Sequence, residues 1–413
     1  MKNLDDFNMK SKKPWEVEGV EWREMSFDKL ISKEKYHVGK VKVRNGLTNF
    51  GRIPVVDQGQ ELIRGYLDNE KLKYRGPLPL IIFGDHTKVI KFIDFPFIVG
   101  ADGVKNLIPN KNLLYPKYFY WLLRKVKLPD RGYARHFKFL KQATYLIPFR
   151  NGKPDLETQK KIVEYIEANF SRIDKILEKK KKELEQLDEL WESVLEQVFK
   201  PKEGEEWKEM RLGEVCIINP KKSEVKQLLE QNIEVSFIPM DYVDDTEGKI
   251  VRQKIRSIQS VYKGYTYFKE GDVLFAKITP CMENGKSAIA CNLKNRIGFG
   301  STEFHVLRPK ESILSEFIFY FIRRKRFRNL AKLHFTGTVG HKRVPKEFLI
   351  NSKIPLPFRN SKPDIEKQKE IANYLDNIYE KIKTLKEKNQ NQIAQLEEMK
   401  ESILDEMFNH ENK

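Results

Sequence analysis

The sequence PFRNGKPDLETQKKIVEYI, at residues 148–166, returns as PFRNSKPDIEKQKEIANYL at residues 357–375. Extended without a gap, the repeat covers residues 147–199 and 356–408, and 22 of the 53 paired positions are identical. An internal repeat has to be recognised first, because it determines how the rest of the fold is interpreted. Two copies separated by about half the chain indicate a molecule built twice on one plan.

Each copy predicts one long helix. An aspartate, Asp155 or Asp364, follows Lys-Pro in each copy, and aspartate is a favoured N-cap because its carboxylate accepts unpaired backbone N–H groups. The first copy then runs without Gly or Pro to Phe199 and stops before Pro201, and the second runs to about Phe408. A helix of about 45 residues is roughly 67 Å long, which exceeds the usual globular helix.

Both predicted helices carry an apolar stripe at heptad spacing, which is typical of a coiled-coil seam. The globular region of about 150 residues between them lets the chain return, so we expect an antiparallel pair. Polar residues interrupt both stripes and either fix the register or mark where the seam frays. Leu177, Leu184 and Val198 lie off the stripe and suggest that further partners dock on the helices. The expected seam consists of Ile166, Ile173, Ile176, Leu187, Leu190 and Val194 with Leu375, Ile382, Leu385, Leu396, Met399 and Ile403.

The net charge of +18 is distributed unevenly. Residues 1–146 carry +12, residues 147–204 carry −1, residues 205–353 carry +9 and residues 354–413 carry −2. These four segments are the predicted domains: two unlike globular domains, each followed by a long spacer helix. Because all of the surplus positive charge lies in the globular domains, we expect two polyanion-binding modules on neutral helices.

The two globular domains share a faint plan. Trp22 opens one and Trp207 the other, an aromatic helix follows late in each (118–125 and 317–325), and a basic glycine-containing loop comes next (131–138 and 334–343). Strand-like runs such as 80–83, 89–92 and 273–275 indicate mixed α/β domains. Arg and Lys neutralise phosphates or pair with guanine, and Thr and His reach base edges. The candidate DNA-binding residues are Lys88, Arg131, Tyr133, Arg135, His136 and Lys138 in the first domain, and Lys277, Thr279, Lys286, Thr336, Thr338, His341, Lys342 and Arg343 in the second.

Structural interpretations compete with several of these assignments. The cations at the ends of the aromatic helices, such as Arg323–Arg326, also suit the helix dipole. Phe137 and Phe139 fit a hydrophobic core better than a base-stacking platform. His86 either contacts a ligand or shapes a turn, and the same choice applies to Lys277, Thr279 and Lys286.

The sequence lacks the motifs of several enzyme classes. It contains no phosphate-binding Gly-x-x-x-x-Gly-Lys-Ser/Thr loop and no Asn/Asp-Pro-Pro-aromatic segment of an amino-methyltransferase. Three cysteines at distant positions (216, 281 and 291) fit neither a disulfide framework nor a zinc site. No run of about 20 apolar residues or apolar signal core occurs, so we expect a cytoplasmic protein without a membrane span. No catalytic residues, metal ligands or bound cofactors are expected, and the chain looks like a binder.

The duplicated PFRN-x-KPD-[LI]-E-x-QK-x-I entry and the two diverged globular halves resemble the specificity subunit of type I restriction–modification systems. Residues 81–103, IIFGDHTKVIKFIDFPFIVGADG, and the loop RGYARHFK look like target-recognition domains of that family. The resemblance implies an α+β fold. In it, two mixed α/β target-recognition domains are joined by two long antiparallel coiled-coil helices in a circular, pseudo-twofold arrangement.

The resemblance also implies a function. Each target-recognition domain would bind half of an asymmetric bipartite site in double-stranded DNA, and the helices would set the gap. Two methylation subunits would carry S-adenosylmethionine and methylate adenine N6, and two restriction subunits would use ATP and Mg²⁺ to cleave DNA. Two other classes of protein stay open. One is a coiled-coil scaffold that binds RNA or acidic partners without sequence preference. The other is a nuclease, which only the weak Glu283…Lys286 pattern supports.

Overall fold

A computed structural model describes residues 13, 15–16, 18–34, 36, 39–41, 46–100, 103–129, 132, 134–338 and 341–408. The chain divides into two compact units. Unit 1 comprises residues 1–180 and 391–413, and unit 2 comprises residues 181–390. Each unit contains one globular domain and parts of both long helices.

The globular domain of unit 1 is a mixture of short strands and helices. Its strands are β1 (Glu21–Ser26), β2 (Lys40–Val41), β3 (Pro54–Val56), β4 (Gly65–Tyr66), β5 (Leu80–Gly84), β6 (Ile90–Ile93), β7 (Ile98–Gly100), β8 (Val104–Leu107), β9 (Thr144–Arg150) and β10 (Lys153–Pro154). Its helices are α1 (Phe27–Leu30), α2 (Pro116–Lys125) and α3 (Phe137–Gln142), and the long helix α4 (Leu156–Gln197) follows.

Three sheets build this domain, in the strand orders β1-β9-β10, β2-β7-β3-β4 and β6-β5-β8. The predicted strands at 80–83 and 89–92 correspond to β5 and β6, which pair antiparallel. The aromatic helix α2 is amphipathic and buries Tyr118 and Phe119 completely. Phe137 packs on the rings of Phe27 and Phe83, which confirms its predicted place in the core.

The globular domain of unit 2 repeats this mixture. Its strands are β11 (Glu206–Arg211), β12 (Cys216–Ile218), β13 (Glu234–Ile238), β14 (Lys254–Ser257), β15 (Thr266–Lys269), β16 (Val273–Ala276), β17 (Ser287–Ile289), β18 (Ile297–Gly300), β19 (Phe304–Pro309), β20 (Lys353–Arg359) and β21 (Lys362–Pro363). Its helices are α5 (Leu212–Val215), α6 (Ile258–Tyr262), α7 (Ser315–Arg323), α8 (Lys325–Leu333) and α9 (Lys346–Asn351), and the long helix α10 (Ile365–Phe408) follows.

The sheets of unit 2 follow the plan of unit 1. Their orders are β11-β20-β21, β14-β13-β18-β15 and β12-β19-β16-β17. One sheet of each unit contains a parallel strand pair, which is β3 with β7 in unit 1 and β13 with β18 in unit 2. Another sheet contains an antiparallel pair, which is β5 with β8 in unit 1 and β16 with β19 in unit 2. The repeated tryptophans also correspond, since Trp22 lies opposite Pro148 and Trp207 opposite Pro357. The fold is therefore α+β with two related mixed domains.

The long helices begin as the sequence predicts. Asp155 accepts a hydrogen bond from the backbone N–H of Thr158 (3.0 Å), and Asp364 accepts one from that of Lys367 (3.0 Å). Helix α4 spans 42 residues and α10 spans 44, or about 63 and 66 Å. The first ends at Gln197, two residues before the predicted Phe199.

The helices pair antiparallel. In unit 2, Asp188 forms an ion pair with Lys386, and Trp191, later in α4, packs on Tyr379, earlier in α10. In unit 1, Asp174 forms an ion pair with Lys400. In unit 1 the predicted seam residues Ile166, Ile173, Leu396 and Ile403 are buried, and Ile176 and Met399 pack against them. In unit 2, Leu375 and Ile382 are buried, and Leu187 and Val194 are partly buried.

Two of the seam positions differ from the prediction. Leu190 and Leu385 are each 49% exposed. In this stretch of unit 2, Trp191 packs on Tyr379 of α10 and on Tyr320 of α7, and Leu195 is buried in the core of the unit. This part of α4 therefore packs on the globular domain as well as on α10. A strict heptad stripe does not describe a helix that packs on two surfaces.

The apolar residues off the stripe also have a different role from the expected one. Leu177 is buried in the core of unit 1, and Val198 packs against the core of unit 2, while Leu184 is partly buried. Leu177 and Val198 therefore pack within their units, although we expected them to bind external partners.

Candidate nucleic-acid interface

In unit 2, three segments that are distant in the sequence meet at the ends of β16 and β19. The N–H of Lys277, directly after β16, donates to the carbonyl of Glu303, and the carbonyl of Lys277 accepts the N–H of Val344. The N–H of Thr279 donates to the carbonyl of Lys342 (3.1 Å). The structure thus brings together the predicted sites around Lys277 and around Arg343.

Residues 336–338 and 341–343 are the described part of the segment that we call the unit 2 loop. Thr336 and Arg343 close its base through two backbone hydrogen bonds of 2.9 and 2.8 Å. Thr338, His341 and Lys342 are exposed at its tip, as is Thr336 at its base. Gly337 has a φ of +109°, and a Cβ there would lie 2.8 Å from the carbonyl oxygen of His341, so the loop requires glycine at this position.

The segment that connects β16 to β17 lies beside this loop and is held by its own polar contacts. Thr279 donates its hydroxyl to the Glu283 carboxylate, which also pairs with Lys332 (2.6 Å). The Lys332 and Thr279 contacts lower the pKa of Glu283. The ammonium of Lys286 lies 3.3 Å from the Met240 carbonyl oxygen. Thr279 and Lys286 therefore have structural partners within unit 2, and the side chain of Lys277 is half-buried.

Arg343, which we predicted as a DNA contact, forms an ion pair with Glu303 inside unit 2. Its Nε and Nη2 donate to the two oxygens of Glu303 at 2.8 and 2.9 Å, and its Nη1 donates to the carbonyl of His341 (3.0 Å). The hydrogen bonds from Arg343 lower the pKa of Glu303 although partial burial opposes this. The arrangement is bidentate, which is the strong geometry for an Arg–carboxylate pair. The structure therefore places Arg343 at the base of the loop.

Unit 1 contains the same junction. The N–H of Asp85, directly after β5, donates to the carbonyl of Gly103, and the carbonyl of Asp85 accepts the N–H of His136 (2.8 Å). A side-chain oxygen of Asp85 also accepts the N–H of Phe137 (2.9 Å). The turn of residues 84–88 is thus attached to the basic segment of residues 131–138, which we call the unit 1 segment.

The predicted residues of unit 1 fall into different environments. Arg135 and Lys138 are exposed, and Lys88 is half-buried in the turn with a φ of +62°. His136 is fully buried, with its Nδ1 3.2 Å from the Asp85 carbonyl oxygen, so we withdraw it from the DNA-contacting set. Arg131 and Tyr133 lie outside the described residues.

The cationic end of the aromatic helix in unit 2 has a structural role. Arg324 adopts an extended backbone, so α7 ends at Arg323 rather than continuing to Lys325, and α8 begins there. Arg323 donates to the carbonyls of Gly285, Asp245 and Thr246, and Arg324 lies 3.5 Å from Glu196. Burial lowers the pKa of Arg324 to about 10. These arginines join segments of unit 2, which neither sequence-based interpretation anticipated.

Sequence reasoning missed Glu303 and His305, the residues that hold the unit 2 junction. His305 is buried, with Nε2 2.8 Å from the Val344 carbonyl oxygen and Nδ1 3.0 Å from Nδ2 of Asn219. Burial lowers the pKa of His305, so the neutral imidazole fits this site. Their only signal in the sequence was a polar residue on each side of Phe304.

The described part of the chain contains no cluster of three His, Cys, Asp or Glu side chains that is arranged to hold a metal ion. Among the helices of the described residues, none has both the length and the apolar character needed to cross a membrane.

Three comparisons place these features among known proteins. Residues 204–395 match the model of the type I restriction modification DNA specificity domain. The specificity subunit of type I restriction enzyme EcoEI from Escherichia coli is 39% identical over 163 residues, which is 39% of this chain and 26% of that protein. The EcoAI specificity subunit from Escherichia coli is 36% identical over 208 residues, which is 50% of this chain and 33% of that protein. The chain therefore aligns with about a quarter to a third of the length of these curated relatives.

A solved structure on complex assembly and conformational transition of the type I R-M system contains a chain with the same fold. The similarity has a TM-score of 0.64 at 19% identity and covers 93% of this chain and 96% of that one. The expected α+β fold is thereby confirmed. The relatives are named as specificity subunits, which agrees with the prediction of a recognition subunit rather than an enzyme. Residues 204–395 belong to the type I restriction modification DNA specificity domain family, and the chain is a relative of type I specificity subunits.

Proposed function

We propose that this chain binds an asymmetric bipartite site in double-stranded DNA, with one half-site contacted by each globular domain. The observation that carries the proposal is the junction found in both units. In each, an exposed basic segment is fixed by backbone hydrogen bonds to the end of a central strand. A rigid support for exposed Lys, Arg, Thr and His side chains is what recognition of base edges and phosphates requires.

The charge distribution supports the same proposal. The segments 1–146 and 205–353 carry +12 and +9, whereas the segments with the long helices carry −1 and −2. A neutral helix pair does not compete for the DNA backbone, so the domains alone supply the electrostatic affinity. We infer that the domain boundaries follow this division, at residues 1–146, 147–204, 205–353 and 354–413.

The long helices suit a spacer. Each is a single uninterrupted α-helix of 42 or 44 residues. A spacer of fixed length would set the number of unread base pairs between the two half-sites, while the loops set their sequence.

Catalysis is assigned to partners. The names of the relatives place them in restriction enzymes as specificity subunits. We propose that two methylation subunits with S-adenosylmethionine methylate adenine N6 at the site, and that two restriction subunits with ATP and Mg²⁺ cleave DNA, all in the cytoplasm. This chain then binds no cofactor of its own.

Equilibrium binding tests the proposal. The full chain is assembled with the N6-adenine methylation subunits encoded beside it. Affinity is then measured by fluorescence anisotropy between about 50 and 200 mM salt on two 40-bp duplexes. One duplex carries the site mapped by methylation in the host, and the other is a shuffled sequence. We expect affinity to fall steeply with salt and to be about 10³-fold or more higher for the mapped site.

The matched control is Lys208→Ala. Lys208 is an exposed lysine on β11 whose partner is Glu206 and which lies outside the proposed interface. It is expected to leave both affinities unchanged. Equal affinity for the two duplexes would contradict the proposal and favour the scaffold that binds polyanions without sequence preference.

A further inference from the structure

The junctions of the two units place one arginine at equivalent positions. In unit 1, the N–H of His136 donates to the carbonyl of Asp85, the residue that follows β5. In unit 2, the N–H of Val344 donates to the carbonyl of Lys277, the residue that follows β16. The residue immediately before that N–H is Arg135 in unit 1 and Arg343 in unit 2. The two arginines therefore occupy the same place in two related domains.

The residue that faces this position differs between the units. In unit 1, the N–H of Asp85, directly after β5, donates to the carbonyl of Gly103. In unit 2, the N–H of Lys277, directly after β16, donates to the carbonyl of Glu303. Glu303 uses its side chain to form two hydrogen bonds with Arg343. Glycine has no side chain, and Arg135 is exposed without an ion pair to any described residue.

Hydrogen bonds engage all three side-chain nitrogens of Arg343. Nε and Nη2 of Arg343 bind the carboxylate, and Nη1 binds the carbonyl of His341 within the unit 2 loop. A guanidinium already neutralised by a bidentate carboxylate has no net charge to offer a phosphate. The same three bonds fix the base of the loop, from which Thr338, His341 and Lys342 project.

We propose that Glu303 is a positioning residue that holds Arg343 as the base of the unit 2 loop, whereas the equivalent Arg135 in unit 1 contacts DNA directly. Two related domains then use the same arginine in different ways, and one substitution, glutamate for glycine at the facing position, decides between them. The inference rests on the proposed DNA-binding function and assigns roles within its two sites.

Salt dependence separates the two roles. The assembled complex of the full chain and its methylation subunits is titrated on the mapped duplex over the same salt range. Arg135→Ala and Lys342→Ala are each expected to reduce the slope of log affinity against log salt by about one, because each removes a phosphate-neutralising charge. The double variant Arg343→Ala/Glu303→Gln, which removes the ion pair without leaving a charge, is expected to leave that slope unchanged.

Sequence discrimination supplies the second readout. Duplexes with single base changes in each half-site are compared with the mapped site. Arg343→Ala is expected to lower discrimination about tenfold in the half-site that the unit 2 loop contacts, and to leave the other half-site unchanged. Glu303→Gln removes the charge of the carboxylate at nearly constant size, so the released Arg343 is expected to steepen the salt slope by up to about one while discrimination falls.

The contrary results are distinct. A slope reduced by about one in the double variant Arg343→Ala/Glu303→Gln, as in Lys342→Ala, would overturn the inference, and so would an unchanged slope and discrimination in Glu303→Gln. If Arg343→Ala does not fold, Glu303→Gln alone decides. If the unmodified complex shows no sequence preference, the proposed function has failed, and the inference fails with it.

Discussion

At the scale of single residues, one buried glutamine in each unit joins the globular domain to its long helix. Gln159 accepts the N–H of Tyr115 (2.8 Å) and donates to the carbonyl of Leu113 (3.0 Å). Gln368 makes the corresponding bonds to Leu314 (3.0 Å) and to the carbonyl of Ser312 (3.1 Å). The repeat therefore preserves a glutamine because its amide pairs one backbone donor and one backbone acceptor in each unit.

Gln368→Ala tests this role. The variant leaves the partly buried N–H of Leu314 and carbonyl of Ser312 without partners, which costs up to about 1–3 kcal/mol for each unsatisfied group. We expect the free energy of unfolding of unit 2 to fall by roughly 2–4 kcal/mol, measured by urea denaturation. Lys369→Ala, at the exposed neighbouring position, is the control and is expected to change it by less than about 0.5 kcal/mol. A similar small loss in Gln368→Ala would contradict the assignment.

His305 makes the unit 2 junction sensitive to pH. Its pKa is lowered from the ordinary value of 6.5, chiefly by burial, so folding favours the neutral imidazole. Its stabilising contribution is complete above pH 6.5, the value expected in the unfolded chain, and decreases as the pH falls below 6.5 toward the folded pKa. Protonation also removes the hydrogen-bond acceptor that Nδ1 offers to Asn219.

The comparison of wild type with His305→Asn isolates this effect from the other histidines. We expect the melting temperature of the wild type to exceed that of the variant at pH 8 and the difference to shrink as the pH is lowered to 5.5. A difference that stays constant, or that grows at low pH, would show that His305 does not titrate as the structure implies.

At the scale of elements, the long helices are fixed in register by charged pairs. In unit 2, Asp188 pairs with Lys386 and Trp191 packs on Tyr379, so α4 and α10 run in opposite directions there. We expect the register of Asp188 and Lys386 to continue along the helices, so that residues 180–186 of α4 correspond to residues 388–394 of α10. A matched deletion of one heptad from each helix preserves the seam.

This deletion tests the spacer. Seven residues of α-helix are about 10 Å long, which equals roughly three base pairs of DNA. Methylation mapping with the shortened chain is expected to show unchanged half-site sequences and a gap shorter by about three base pairs. Deletion of residues 180–186 alone breaks the register and is expected to abolish methylation. An unchanged gap in the matched deletion would rule out a spacer role for the helices.

Local patterns in the sequence predict these elements well. The aspartate caps, the long helices and the strands at β5, β6 and β16 follow from capping and from hydrophobic runs, which depend on neighbours in the chain. The half-exposed Leu190 and Leu385 were not predictable, because an apolar stripe does not reveal that Trp191 packs on Tyr320 of the globular domain.

The candidate site was predictable only in part for the same reason. The basic segments are visible in the sequence, since exposed Lys and Arg cluster there. The Glu303–Arg343 pair joins residues 40 positions apart, and the burial of His136 depends on the Asp85 turn, 51 positions away. Long-range pairing of this kind leaves no periodic signal, so charge alone did not distinguish a supporting arginine from an exposed one.

At the scale of the whole molecule, the repeat and the charge divide the chain into two kinds of parts. The repeated helices are nearly neutral and carry the glutamine attachment points, whereas the domains hold the surplus positive charge and differ in their loops. Duplication followed by divergence of the loops produces two unlike recognition surfaces on one framework. An asymmetric bipartite DNA site is the target that such a molecule fits.

Methylation mapping tests this account most directly. The full chain and its methylation subunits are expressed in a host without other adenine methylation, and every methylated adenine in the genome is located by single-molecule sequencing. The account predicts one motif of two different half-sites separated by a gap of fixed length, in which Arg343→Ala relaxes one half-site and leaves the other unchanged. A single contiguous motif, or a variant that relaxes both halves together, would contradict it.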